Sequence, residues 1–282
     1  MIDKSILRNI KLIVFDLDGT LLNDEGKIGR ETLELVNELK NYDVLFSFAT
    51  GRPHSSVGNY AKVLGISVPI ISLDGTLIKT HPAKDIIYMS YIPVKYVNKA
   101  LRLADRFLLK VALCHDEAIY YTEQNSLIPK LLEKYGAVYK EVHDYENYIY
   151  RTLEIILTGE YSEPLKYIEN KMMFPFSFGL STSFYKSHSH SGVYYLEIRR
   201  HGSSKGTGLK RLTNHLNVKI KHTAVMGDWY NDRTLFETKA VKIAMANAVP
   251  EIQRLADFIT KRTNNEDGTA EFLKMVLQSK KK

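Results

Sequence analysis

Apolar residues occupy consecutive positions at Lys11-Leu-Ile-Val-Phe15, rich in branched side chains, as a strand buried on both faces requires. Similar runs return at 43–48, 68–72 and 222–226, with shorter ones at 241–244 and 257–260. Between them the spacing changes to that of helices, over 32–39, 54–64, the stretch after Gly208 and the closing segment from Thr269. Strands alternating with helices predict an α/β fold, a Rossmann-like doubly wound parallel sheet.

The alternation breaks in mid-chain. Helix-like segments at 94–107, 126–135 and 162–172 are interleaved with strand-like ones at 110–113, 118–122, 153–157 and 176–181. This predicts an inserted α+β domain over 83–193, with a core domain made of 1–82 and 194–282. The chain is expected to re-enter the core through the strand at 194–198. Fifteen of the eighteen tyrosines lie between Tyr88 and Tyr195, a concentration that suits a stacking surface for a planar or sugar-like substrate, although strand and core positions are the simpler expectation for most of them.

Composition adds limits. A chain of 282 residues exceeds the usual single core, and 44% hydrophobic with 25% charged residues is ordinary for a globular protein. The formal charge of +7 favours anionic partners, but the Lys and Arg residues are scattered, without a nucleic-acid motif. A lone cysteine, Cys114, excludes an internal disulfide. No run approaches membrane-spanning length, and the start lacks a signal-peptide pattern, so a cytoplasmic protein with no membrane partner is expected.

Candidate chemistry collects at the strand ends. The first strand stops at Asp16-Leu-Asp18-Gly19-Thr20. Residues two apart on an extended backbone share a face, and two carboxylates so close imply a bound cation or divided acid and base roles. The second strand ends in Thr50-Gly51-Arg52 before a helix, which offers an anion backbone N–H groups, a hydroxyl and a guanidinium. The third ends in Asp74-Gly75-Thr76, an echo of the first with Ser72 where the first has its paired carboxylate, so Asp74 is expected at the rim and not as a nucleophile. Lys205, before Gly206 at a helix start, can meet a phosphate. Asp228 at a strand end and Asp232 four residues on can face one cleft, and oxygen donors of this kind suit Mg²⁺. His188 and His190 read as a hairpin tip with no acidic or cysteine partner nearby.

Asp16-Leu-Asp18-Gly-Thr, Thr50-Gly-Arg52, Lys205-Gly-x-Gly and Gly227-Asp228-x-x-Asn231-Asp232, in this order, resemble the four motifs of the haloacid dehalogenase superfamily. The insert between the second and third looks like the α/β cap of its Cof-type phosphatases. The resemblance implies Asp16 as a nucleophile that takes the phosphoryl group from a monoester, and Asp18 as the acid and then the base. It implies Mg²⁺ held by Asp16, the backbone carbonyl of Asp18 and Asp228, with Asp232 supporting from behind. Thr50, Gly51, Lys205 and Asn231 would hold the phosphoryl, and Arg52 with the cap would handle the leaving group. The chain departs from the pattern at Asp74-Gly75, where such proteins usually carry Asn-Gly.

The expected activity is Mg²⁺-dependent hydrolysis of small phosphorylated metabolites, such as sugar phosphates or phosphorylated cofactors, through a phosphoaspartate. A phosphohexomutase of the same superfamily is the alternative, since it retains these motifs. A dehalogenase would leave Asp18 without a role, and a nucleic-acid-binding protein lacks a basic stripe.

Overall fold

The structure, a computed structural model, describes residues 2–131, 136–174, 179–187 and 192–281. Its strands in chain order are β1 (Leu12–Phe15), β2 (Leu45–Phe48), β3 (Ile70–Ser72), β4 (Leu77–Lys79), β5 (Ile86–Met89), β6 (Lys110–Cys114) and β7 (Ile119–Thr122). They continue as β8 (Tyr139–Val142), β9 (Glu154–Gly159), β10 (Leu180–Lys186), β11 (Tyr194–Arg200), β12 (Thr223–Gly227), β13 (Val241–Ala244) and β14 (Phe258–Ile259). By internal contacts the chain divides into a first unit of 1–51, 58–88 and 204–282 and a second of 52–57 and 89–203.

In the first unit the order is β14-β13-β12-β1-β2, with every pairing parallel. All four residues of β1 are buried, as its unbroken apolar run requires of a strand at the interior of a covered sheet. The bridge Ala49↔Ile71 carries the parallel direction on toward β3, which then turns back antiparallel into β4. Because β1 and β12 run parallel in register from Leu12↔Thr223 to Phe15↔Met226, their C-terminal ends emerge side by side. Asp16 and Asp228 follow those ends.

The second unit is a sheet ordered β10-β11-β9-β6-β7-β8, antiparallel except for the β7–β8 pair. Two helices, Val94–Arg106 and Ser162–Met173, bury Val97, Ala100 and Ala104, and Leu165, Ile168 and Met172, at helical spacing. They share a core with Val111, Leu113, Ile155, Leu157, Leu196 and Ile198. The alternate residues Glu154, Glu197 and Arg199 point to the opposite face, where Arg199 pairs with Glu154 at 2.7 Å and also with Glu197.

Several sequence expectations change. The strand at 194–198 does not re-enter the first unit: β11 lies between β9 and β10, and its seven-residue hairpin pairing with β10, from Leu180↔Arg200 to Lys186↔Tyr194, holds it in the second sheet. The helix expected at 54–64 is two pieces, a 3-10 turn at His54–Ser56 and a helix at Gly58–Val63. The strand expected at 176–181 begins at Leu180, and 176–178 lie outside the described residues. Of the helix expected at 126–135, Ile128–Leu131 is observed and the remainder lies outside the described residues, as do His188 and His190. Seven of these tyrosines, Tyr88, Tyr120, Tyr121, Tyr139, Tyr185, Tyr194 and Tyr195, sit on strands. Among the described residues no helix is long and apolar enough to cross a membrane.

Candidate active site

Beyond β1 the chain must leave the sheet at once, and Gly19 makes this feasible by adopting φ +79°. A side chain at Gly19 would also collide with Asp228, its Cβ lying 2.4 Å from Oδ2. The turn is therefore pressed against the end of β12. Thr20 Oγ1 donates to Asp228 Oδ1 at 2.8 Å, and Asn247 Nδ2 donates to the Gly19 carbonyl at 2.8 Å. Asp16 is buried and Asp18 is exposed, so the two carboxylates of the motif have different surroundings.

Lys205 is the first residue of the helix Lys205–His215. Ser204 caps that helix, accepting from Thr207 N at 3.1 Å while Thr207 Oγ1 accepts from Ser204 N at 3.0 Å, a reciprocal box that fixes where the helix begins. The Lys205 side chain is fully buried. Its Nζ donates to Asp16 Oδ1 and to Asp232 Oδ1, each at 2.6 Å. Asp232 Oδ2 in turn accepts the backbone N–H groups of Asp228 and Trp229, at 2.9 and 3.1 Å. Both Asp232 oxygens are thus engaged in holding other parts of the site.

Carboxylate oxygens of Asp16, Asp228 and Asp232 all lie within 4.8 Å of one another. Burial raises the Asp228 carboxyl to about 7, with Asp232 adding to the rise, while the Thr20 hydrogen bond and Lys205 oppose it. Asp16 is likewise pushed well above the ordinary carboxylate range, first by burial and then by Asp232 and Asp228, against the pull of Lys205. Burial works against the Lys205 charge too, but Asp16 and Asp232, and less strongly Asp74, outweigh it and raise the ammonium above its ordinary value. Carboxylates outnumber the one ammonium, and the donors are all hard oxygens, so the cluster fits a small divalent cation such as Mg²⁺.

Thr50 and Gly51 follow β2. Thr50 is buried, its N–H donates to the Ile71 carbonyl at 3.0 Å, and its own carbonyl accepts from Asp74 N at 3.0 Å. Asp74 is not at a rim, as the sequence suggested, but buried. Leu73 and Asp74 are both left-handed, at φ +46° and +47°, which turns the carboxylate toward the Thr50–Gly51 turn and toward Asn231, whose Nδ2 donates to Asp74 Oδ1 at 3.3 Å. The first unit therefore brings Asp16, Lys205, Asp228 and Asp232 into one cluster and links Asn231 to the Thr50 loop. Arg52 begins the segment 52–57, which groups with the second unit. Sequence reasoning gave no role to Thr20, Ser204 or Asn247; Thr20 closes the first motif and Ser204 precedes the third, whereas Asn247 reaches the site from the loop after β13 and left no local signal.

The family model of haloacid dehalogenase-like hydrolases matches residues 13–273, and the chain belongs to that family. Phosphatase YwpJ of Bacillus subtilis is 28% identical, the alignment covering 95% of this chain and 100% of that protein. The 5-amino-6-(5-phospho-D-ribitylamino)uracil phosphatase YitU of Bacillus subtilis is 25% identical over 93% of this chain and 96% of its own length. A crystal structure of a haloacid dehalogenase-like hydrolase from Bacteroides thetaiotaomicron has the same fold, with a TM-score of 0.83 at 24% identity, covering 95% of this chain and 99% of that one.

Proposed function

We propose that this protein is a Mg²⁺-dependent phosphatase that hydrolyses monoesters of small phosphorylated metabolites through a phosphoaspartate on Asp16. The observation that carries this reading is the buried Asp16 carboxylate at the end of β1, oriented at 2.6 Å by Lys205, which Asp232 anchors from the other side. A carboxylate fixed this way attacks without first having to be ordered. Support also comes from the family and from the phosphatases among its relatives.

In this reading an Asp16 oxygen forms the bond to phosphorus as the ester P–O bond breaks, and Asp18 delivers a proton to the leaving oxygen. Asp18, now a carboxylate, takes a proton from the water that attacks the phosphoaspartate, which returns Asp16 and releases inorganic phosphate. The exposure of Asp18 suits a group that must exchange protons with substrate and water, whereas buried Asp16 suits one that must not be solvated by competing water. Thr50, Gly51, Asn231 and Lys205 hold the phosphoryl oxygens. Asp16, the Asp18 carbonyl and Asp228 would hold Mg²⁺, which supplies positive charge against the phosphoryl group. Asp232, with both oxygens taken by Lys205 and two backbone N–H groups, supports the site from behind.

Phosphate release from a broad panel of phosphate monoesters tests the reading, with Mg²⁺ and with chelator, for the wild type and Asp16→Asn. Release that needs Mg²⁺ and disappears in the variant is expected. No release from any monoester overturns it, and conversion of a hexose phosphate to its isomer without phosphate release would make the protein a mutase.

A further inference from the structure

Asp74 is a fifth carboxylate at this site, beside Asp16, Asp18, Asp228 and Asp232, and the phosphoaspartate chemistry above gives it no task. Three groups assigned to the phosphoryl surround it. Asn231 Nδ2 is 3.3 Å from its Oδ1. Its carboxylate oxygens lie 3.4 and 3.6 Å from where a Cβ on Gly51 would stand. Lys205 feels its charge. The backbone is also held in an unfavourable form to place it there. Leu73 and Asp74 are consecutive non-glycine residues with positive φ, at a cost on the order of 1 kcal/mol each, and for a residue as bulky as leucine this conformation is an outlier. Strain of this kind persists where surrounding structure imposes it, commonly at functional sites. Here the Asp74 N–H to Thr50 carbonyl bond and the Asn231 contact fix it.

A carboxylate in this position has two effects. It accepts hydrogen bonds and, when ionised, donates none, so the Asn231 amide must turn its NH₂ end toward Asp74 and the amide orientation is set. It also adds negative charge beside the turn that receives the phosphoryl oxygens, which weakens the hold on a dianion. The group most affected is the product, inorganic phosphate, which has no leaving group to add binding energy.

We propose that Asp74 is a positioning residue that orients Asn231 and lowers the affinity of the site for inorganic phosphate, so that product leaves quickly. The proposal rests on the phosphatase reading for the place of the phosphoryl group. Product release limits turnover in many enzymes, so a device that loosens the product acts directly on kcat.

The test is calorimetric titration of the Mg²⁺-loaded protein with inorganic phosphate, for wild type and Asp74→Asn, beside KM and kcat on the best monoester. Asn tolerates positive φ better than most residues, so the variant keeps the turn, and Asp74→Gly serves as a second variant free of side-chain strain. Phosphate binding about tenfold tighter in Asp74→Asn is expected, with KM and kcat both reduced. A merely structural defect would weaken phosphate binding, so tightening separates the two. Wild-type binding with no tightening in either variant overturns the proposal and leaves the phosphatase reading intact. If the wild type neither binds phosphate nor releases it from monoesters, both fall.

Discussion

Lys205 and Asp16 are 189 positions apart in the chain, and their side chains meet at 2.6 Å in the interior of the first unit. The same ammonium reaches Asp232 at 2.6 Å, with all three residues buried. A buried ion that loses its partner is left in a poorly solvating medium. Lys205→Met is expected to destabilise the fold by about 3–5 kcal/mol and to reduce activity by a factor of about 100 or more. Urea unfolding and phosphate-release kinetics measure the two effects. Adding Asp232→Asn to that variant should restore part of the stability and none of the activity, because it removes one stranded charge without returning the ammonium.

The carboxylates predict an inverted pH dependence in chelator-treated protein. In the unfolded chain Asp228 ionises near 3.8, and in the folded chain near 7, with Asp16 shifted in the same direction. Between those values the folded state keeps protons that the unfolded state has lost, so rising pH removes stability. Asp228→Asn should match the wild type in Tm near pH 4 and exceed it above pH 7, since the amide mimics the protonated acid. Comparing the two proteins cancels the contributions of other groups. Equal Tm values at pH 8 would contradict the raised Asp228.

Added Mg²⁺ should reverse that order at pH 8. A cation held by Asp16 and Asp228 stabilises the wild type and has little to hold in Asp228→Asn. Binding near pH 7 must also displace the proton that Asp228 retains, so calorimetry in buffers of different ionisation enthalpy should show proton release on Mg²⁺ binding. Heats independent of buffer would mean that the site is ionised beforehand.

Gly206 has no room for a methyl group. A Cβ there would stand 2.1 Å from the Thr234 carbonyl oxygen, which is backbone and cannot swing away. Gly206→Ala should cost about 1–3 kcal/mol and reduce activity by moving Lys205. Gly202 is the control, with nothing within 4 Å of its Cβ position, so that its φ of +85° alone sets the cost of Gly202→Ala, about 1–2 kcal/mol. Urea unfolding of both variants separates crowding from backbone strain.

Ser204→Ala removes the accepting half of the capping box before Lys205. A loss of about 1 kcal/mol in unfolding free energy is expected. Ser204→Asp retains a capping acceptor and should recover most of it. The same substitutions read out in KM show how far the cap sets the position of the ammonium.

The sequence by itself determined the fold class and most strands and helices of the alternating core, because these follow from local periodicity, but not the short strands β4, β5 and β8 or the break in the helix expected at 54–64. The unbroken apolar run 11–15 can only be covered on both faces, the Gly19 and Thr50-Gly51 turns mark where the chain leaves the sheet, and Lys205-Gly206 opens a helix. Motif residues were legible for the same reason: each lies just past a strand or at the start of a helix. Pairing was not legible. Nothing local tells β11 to join β9 and β10 and not the parallel sheet, since that choice depends on which partner edge is free in three dimensions. Nor does spacing reveal that Lys205 is shared by Asp16 and Asp232, that Thr20 and Asn247 brace the Gly19 turn, or that Asp74 lies inside the site. Those relations join residues up to 228 positions apart, and only the parallel register of β1 with β12, together with the left-handed turn at Leu73 and Asp74, brings them within hydrogen-bonding distance.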